Sequence, residues 1–144
     1  MHQFEYAVKL TPAKEGGFVV TCRDLPEVIT QGDDMHDALE QASDAMAEAF
    51  AMRIEDELDF PAPSVPKRGE HKVSPPAEMV AKAALYVTMR EAGLSKAELA
   101  RKLAVNEKEV RRMLDPHHNT RLPSLDKAIR ALGKKLTVHL EEAA

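Results

Sequence analysis

Hydrophobic positions change period along this chain. In "FEYAVKL", Phe4, Tyr6, Val8 and Leu10 fall at every second residue, which predicts a strand with one face on a core. "GFVVTC" is a second β-rich run, and the intervening "TPAKEGG" has the Pro and paired Gly of a hairpin loop. "RDLPEVITQGDD" then predicts a turn, a short third strand over Val28–Thr30 and a loop at Gly32. From Met35 the period turns helical: Ala38, Leu39, Ala42, Ala45, Met46, Ala49, Phe50 and Ile54 form a stripe of mostly small residues suited to lying close on strands. Asp33 or Asp34 is placed to cap that helix. Five of the nine prolines, Pro61, Pro63, Pro66, Pro75 and Pro76, crowd the next stretch, which excludes helix and leaves "GEHKVS" as an edge strand.

The pattern is helical again over 77–92, ending at Gly93. Ser95 followed by Glu98 is a capping box, and Asn106 followed by Glu109 a looser start signal of the same kind. Between them Leu99 and Leu103 point inward, Ala100 lets a following helix cross closely, and Val105, Val110 and Leu114 fill the same core. Pro116 stops this helix, "SLDKAIRALG" forms another, and "KLTVHL" alternates like a strand. The fold class expected is α+β: a β-β-β-α-β layer with its core over residues 1–60 and its last, edge strand in a Pro-rich linker over 61–76, and a mainly α domain over 77–144.

Composition narrows this further. With four Phe, two Tyr and no Trp, the core must be mostly aliphatic and Met. No apolar run approaches a membrane span and the N-terminus lacks signal-peptide character, so a cytoplasmic location is expected. Cys22, the single cysteine, has no second thiol for a disulfide or a zinc cluster and reads as a buried strand residue. Charge is divided: residues 1–76 carry 7 Lys and Arg against 15 Asp and Glu (−8), and residues 77–144 carry 13 against 9 (+4). An acidic half joined to a basic half suggests two partners of opposite charge, one of them nucleic acid.

The stretch "LSKAELARKLAVNEKEVRRMLDP" is a helix, a short turn and a second helix sharing one apolar side, the helix-turn-helix pattern. Its second helix presents Glu107, Lys108, Arg111 and Arg112 outward, and "HHNTRL" adds His118, Asn119, Thr120 and Arg121 against a phosphate backbone. Lys96 and Asn106, at the starts of the two helices, complete the candidate DNA-binding set. An ordinary two-helix corner is the bland alternative; the two caps, the small Ala100 and the basic outer face argue against it.

This stretch resembles the Cro/repressor helix-turn-helix, and with "HHNT" and "LPSLDKAIRALGKKLTV" it is similar to the form at the C-terminus of HicB antitoxins. The front half, through "EGGF", "DLPE", "TQGD" and the following "ALEQA", resembles the HicB N-terminal domain, a truncated ribonuclease H-like unit. One departure is Ala104, at a turn position where such motifs usually have Gly. The resemblance implies a HicA-type mRNA-cleaving toxin as partner of the acidic half, double-stranded operator DNA as partner of the basic half, and no cofactor or metal. It places toxin contacts at Phe18, Asp24, Pro26 and Glu27. A homodimer or higher homo-oligomer is expected, built on Leu125 to Leu140 with "KLTVHL" pairing across the axis.

The likeness to ribonuclease H raises two-metal hydrolysis, for which Asp24, Glu27, Asp33, Asp34 and Asp44 are the available carboxylates. These acids read as turn residues, a helix cap and a solvated face, and the adjacent His117 and His118 lack the spacing of a helical metal pair, so no enzyme is expected. The rival reading is a stand-alone helix-turn-helix regulator whose front domain senses a small ligand.

Overall fold

The structure, a computed structural model, describes residues 4–142; the outer ends of the expected domain ranges, residues 1 and 144, lie outside them. The chain forms two compact units. Among the described residues, one holds 4–52 together with Phe60–Ala77, the other Arg53–Asp59 with 78–142.

In the first unit β1 (Tyr6–Pro12), β2 (Phe18–Cys22), β3 (Ile29–Gly32) and β4 (Glu70–Val73) make one antiparallel sheet of order β3-β2-β1-β4. Val8 lies opposite Cys22 on one side and His71 on the other, which fixes the register. Of the alternation expected from the sequence, Phe4, Tyr6 and Val8 are buried and Leu10 is half-buried, Ala7 is buried as well, and Val20 and Cys22 of β2 join the buried set. Against it lies α1 (Met35–Glu55), burying Ala38, Ala42, Met46, Ala49 and Phe50. Phe50 is the hub of the aromatic packing: its ring lies 4.8 Å from Phe60, 5.9 Å from Tyr6 and 6.1 Å from Phe4, each edge-on.

Small residues set the spacing. A Cβ at Gly32 would run into the backbone nitrogen and Cα of Ala38, so the end of β3 reaches the first turn of α1 only because no side chain intervenes. The cap that turns the chain there is Asp34, whose Oδ1 accepts the Asp37 N–H at 2.8 Å, while Asp37 Oδ2 accepts the Asp33 N–H at 2.8 Å. At the other end, the Leu58 N–H bonds to the Arg53 carbonyl at 2.8 Å with Glu57 left-handed at φ 56°, a Schellman-type stop without the usual glycine.

The third strand sits one or two residues later than its sequence pattern predicts, and Gly32 ends the strand instead of lying in a loop. Leu25 and Val28, both fully buried, plug the core from the preceding turn, where the Val28 N–H bonds to the Leu25 carbonyl at 2.9 Å. Pairing with β2 therefore begins only at Ile29.

The Pro-rich stretch is fastened to the sheet by side chains, since prolines supply no amide donors. Tyr6 donates its hydroxyl to the Pro61 carbonyl at 2.8 Å, and Ser64 donates its amide and hydroxyl to the two Asp24 carboxylate oxygens at 2.8 and 2.6 Å. Arg23 donates to the Val65 carbonyl at 2.7 Å and forks onto Glu70 at 3.0 and 2.9 Å, holding the Glu70 carboxyl down at about 2.

The second unit packs α2 (Ala77–Ala92), α3 (Lys96–Leu103), α4 (Glu107–Leu114) and α5 (Leu122–Ala131). Leu85, Leu99, Val110, Leu125, Ala128 and Ile129 are its buried centre, and Ala81, Ala83 and Ala100 keep the helices close. Tyr86 donates its hydroxyl to the Leu58 carbonyl at 2.7 Å, and Arg90, stacked 5.4 Å from the Tyr86 ring, pairs with Asp59 at 2.9 Å. The expected C-terminal strand is absent: residues 134–142 take no regular structure, with Val138 and Leu140 81% and 98% exposed. A strand needs a neighbour for its ladder, and this segment has none within the described chain. No helix among the described residues is long and apolar enough to cross a membrane.

Gly32→Ala is expected to destabilise the first unit by about 2–3 kcal/mol through overpacking against Ala38. Chemical denaturation followed by circular dichroism checks this, and a change below about 0.5 kcal/mol would mean that β3 and α1 separate easily.

Candidate functional sites

The helix-turn-helix begins with a complete capping box: Ser95 Oγ accepts the Glu98 N–H at 3.1 Å and Glu98 Oε1 accepts the Ser95 N–H at 3.2 Å. These bonds hold the Glu98 carboxyl below its ordinary value. α3 stops at Ala104, which is left-handed (φ 56°, ψ 41°) and directs its N–H to the Ala100 and Arg101 carbonyls. The next helix starts at once, because Asn106 Oδ1 accepts the Glu109 N–H at 2.9 Å. Leu99, Leu103, Val110, Met113 and Leu114 are buried, whereas Val105, expected to fill the same core, is only half-buried in the turn.

The outer side of α4 carries its expected residues, but in pairs. Arg111 binds Glu107 at 2.9 Å and Arg112 binds Glu109 at 2.9 Å, all four partly exposed. Lys108 and Lys96 are exposed, and Asn106 is occupied by its capping bond. After α4 the chain turns through Asp115, whose side chain accepts the His117 N–H at 2.9 Å and whose carbonyl accepts the His118 N–H at 3.1 Å. Asn119 and Arg121 are exposed beyond it, and the His118 ring lies 3.1 Å from the half-buried Thr120 hydroxyl. The two histidines diverge, His117 pairing with Glu55 at 2.8 Å.

A residue missed in the sequence sits behind this surface. Lys82 of α2 is 4% exposed, and its ammonium donates to the carbonyls of Arg112 (3.1 Å), Met113 (3.2 Å) and Asp115 (2.7 Å) and to Thr120 Oγ1 (2.9 Å). Desolvation lowers its pKa to about 8, opposed by the Asp115 carboxylate. The signal was a lysine three and four residues before the buried Leu85 and Tyr86, where the helical period calls for an apolar residue.

On the first unit the four residues placed at a protein contact diverge in environment. Pro26 and Glu27 are exposed in the turn before β3, Phe18 is half-buried, and Asp24 has its carboxylate engaged by Ser64. Beside them lies a groove of about 550 Å³ lined by Lys9, Thr21, Arg23, Pro26, Ile29 and Glu70 among others, with Ile29 69% exposed. Ile29 falls within the strand expected over Val28–Thr30, where nothing in the sequence marks it as exposed. The α1 carboxylates Glu40, Asp44 and Glu48 stand exposed at four-residue steps. No group of three or more His, Cys, Asp or Glu able to hold a metal ion occurs among the described residues. Cys22 is buried, and burial raises its thiol pKa.

The chain is thus an α+β unit with exposed carboxylates along α1, followed by a helical unit that carries a helix-turn-helix. The chain belongs to the HicB-like antitoxins of bacterial toxin-antitoxin systems: residues 5–84 match that family. Among curated proteins it is 35% identical over 133 residues to Antitoxin HicB of Escherichia coli K12, covering 92% of this chain and 96% of that protein. It is 39% identical over 122 residues to Antitoxin HicB 2 of Photorhabdus laumondii (85% and 86%). Antitoxin HicB of Pseudomonas fluorescens Pf0-1 is 33% identical over 141 residues (97% and 96%). The family is one of antitoxins and not of enzymes.

Ala104→Gly is expected to stabilise the second unit by about 0.5–1 kcal/mol, because relief at a left-handed residue outweighs the added freedom of the unfolded chain. Thermal unfolding measures it, and a lowered melting temperature would show that the Ala104 methyl has packing value exceeding the strain.

Proposed function

We propose that the chain neutralises a HicA-type toxin through its acidic first unit and represses its own operon by binding operator DNA through the helix-turn-helix. The observation that carries the reading is likeness to antitoxins along nearly the whole chain, through both units. Charge supports the division of labour, with −8 in residues 1–76 and +4 in residues 77–144. Complementary charge speeds encounter and selects partners, while packing holds the complex. The exposed Pro26, Glu27 and Ile29 offer an apolar and acidic rim to the toxin, and Phe18 and Asp24 shape it from behind. On the DNA side, Lys96, Lys108, Arg111, Arg112, Asn119 and Arg121 reach phosphates and base edges, Glu107 offers an acceptor for a cytosine amino group, and Asn106, His118 and Thr120 hold the backbone that presents them. The chain acts in the cytoplasm, where both partners are found.

The test joins the two roles. Co-expressed with the product of an adjacent small basic reading frame, the chain is expected to co-purify with it and to suppress its RNA cleavage. Arg111→Ala with Arg112→Ala should weaken operator binding about 10- to 100-fold with neutralisation unchanged. No complex and unsuppressed cleavage would transfer the first unit to ligand sensing; equal operator affinity in the double variant would remove α4 as the reading helix.

For the homodimer, the support is the exposed alternation of "KLTVHL", whose Val138 and Leu140 have no cover within the described chain and whose backbone is free to pair with a second copy. Val138→Asp with Leu140→Asp should halve the mass seen by sedimentation at micromolar concentration. A wild-type monomer under those conditions would end the proposal.

A further inference from the structure

A lysine at 4% exposure is rare, and Lys82 is buried among oxygen atoms that belong to one functional feature. The last carbonyls of a helix have acceptor capacity that the helix does not fill, and at the end of α4 those of Arg112, which also accepts the Asp115 N–H at 3.2 Å, and Met113 accept from the ammonium. The third carbonyl, Asp115, opens the segment that runs to the exposed Asn119 and Arg121, and the Thr120 hydroxyl closes it. Thr120 also donates to the Arg112 carbonyl at 3.2 Å. Its one proton is then spent, so the His118 ring 3.1 Å away must face it with a protonated Nδ1. One ammonium on α2 thereby ties the end of α4 to the segment that follows it.

We infer that Lys82 is the positioning residue for the DNA-reading surface, setting the end of α4 and the 115–120 segment in register so that Arg111, Arg112, Asn119 and Arg121 engage one operator together. The inference rests on the operator reading above and adds to it a residue that touches no DNA. Three ammonium protons face four acceptors. A neutral amine has two protons and a lone pair, so deprotonation removes one donor from the cluster and turns a lone pair toward an oxygen. The ionisable groups facing Lys82 are Asp115, whose carboxylate favours the charged form, and His118 through Thr120. Because Lys82 titrates near pH 8 and its neutral form releases the segment, operator affinity should fall as pH rises through that value.

The experiment measures binding of a labelled duplex from upstream of the chain's own gene to the full chain at pH 7 and pH 9, with helix content and cooperative melting by far-UV circular dichroism as the control for folding. Wild type should lose affinity about tenfold between the two, the limit for one proton with a pKa of about 8. Lys82→Arg, which keeps donors and charge, should stay within about threefold of wild type at pH 7 and lose nothing at pH 9. Lys82→Met should bind weakly at both while keeping wild-type helix content and a cooperative melt. A flat wild-type profile, an Arg variant that falls in parallel with wild type, or a Met variant that binds as wild type would overturn the inference. If wild type binds no duplex at any pH, the operator reading falls, and hydrogen exchange of the His118 and Thr120 amides decides about Lys82. Faster exchange in Lys82→Met at pH 7 sustains its positioning role, and equal exchange removes it.

Discussion

Both units depend on close approach between elements faced with small side chains. The sequence offers four Phe, two Tyr and no Trp, so little area comes from large aromatics. Gly32 and the alanines of α1 bring that helix down on the sheet, and Ala81, Ala83, Ala100 and Ala128 do the same among the later helices. An alanine buries far less than a leucine, whose burial contributes about 1.5–3 kcal/mol. What small residues supply instead is short distance, and with it dense dispersion contact between backbones. The few large side chains then carry much of the hydrophobic term, which is why Phe50 gathers Phe4, Tyr6 and Phe60 around one point.

Close packing makes unsatisfied polar atoms costly, and the chain meets this in the same way twice. In the first unit, carbonyls of the Pro-rich stretch lie where a sheet ladder cannot reach them, and Tyr6 and Arg23 extend from the strand side to bond Pro61 and Val65. In the second, carbonyls at and just past the end of α4 keep acceptor capacity beyond the main-chain bonds they make, and Lys82 reaches across from α2 to fill it. In each case one long side chain on a packed element fixes a segment with few contacts of its own. No buried side-chain nitrogen or oxygen among the described residues is left without a partner.

These polar ties were the least legible part of the chain. Period and caps were readable because they are local: the alternation of β1, the stripe of α1, the Ser95–Glu98 box and the Asn106 start all depend on residues within a few positions. The left-handed turn at Ala104 was legible only through the resemblance, which puts a glycine at that position. By contrast Asp24–Ser64 and Arg23–Glu70 join residues 40 and 47 positions apart, and Lys82–Asp115 joins residues 33 apart. Nothing local marks Asp24 as tied to a serine in place of standing open to a partner. The "KLTVHL" alternation misled for a related reason, because alternation reports a strand's preference and not whether a neighbour is present.

The charge on α4 is smaller than its two arginines suggest. Glu107, Lys108, Glu109, Arg111 and Arg112 sum to +1, and each arginine is paired along its own helix. Exposed pairs of this kind are worth only about 0.3–0.5 kcal/mol, so an arginine exchanges a carboxylate for a phosphate or a guanine edge at little cost. The carboxylate released in the exchange is a different matter. Left among phosphates it is repelled, whereas beside a cytosine amino group it is an acceptor in use. In the proposed operator complex Glu107 and Glu109 therefore weaken binding to any duplex that offers them no donor, and they do so more than they weaken binding to the right one. An acidic protein with a modestly basic reading helix gains discrimination this way, because nonspecific attraction is low to begin with and the residual affinity depends on matched contacts.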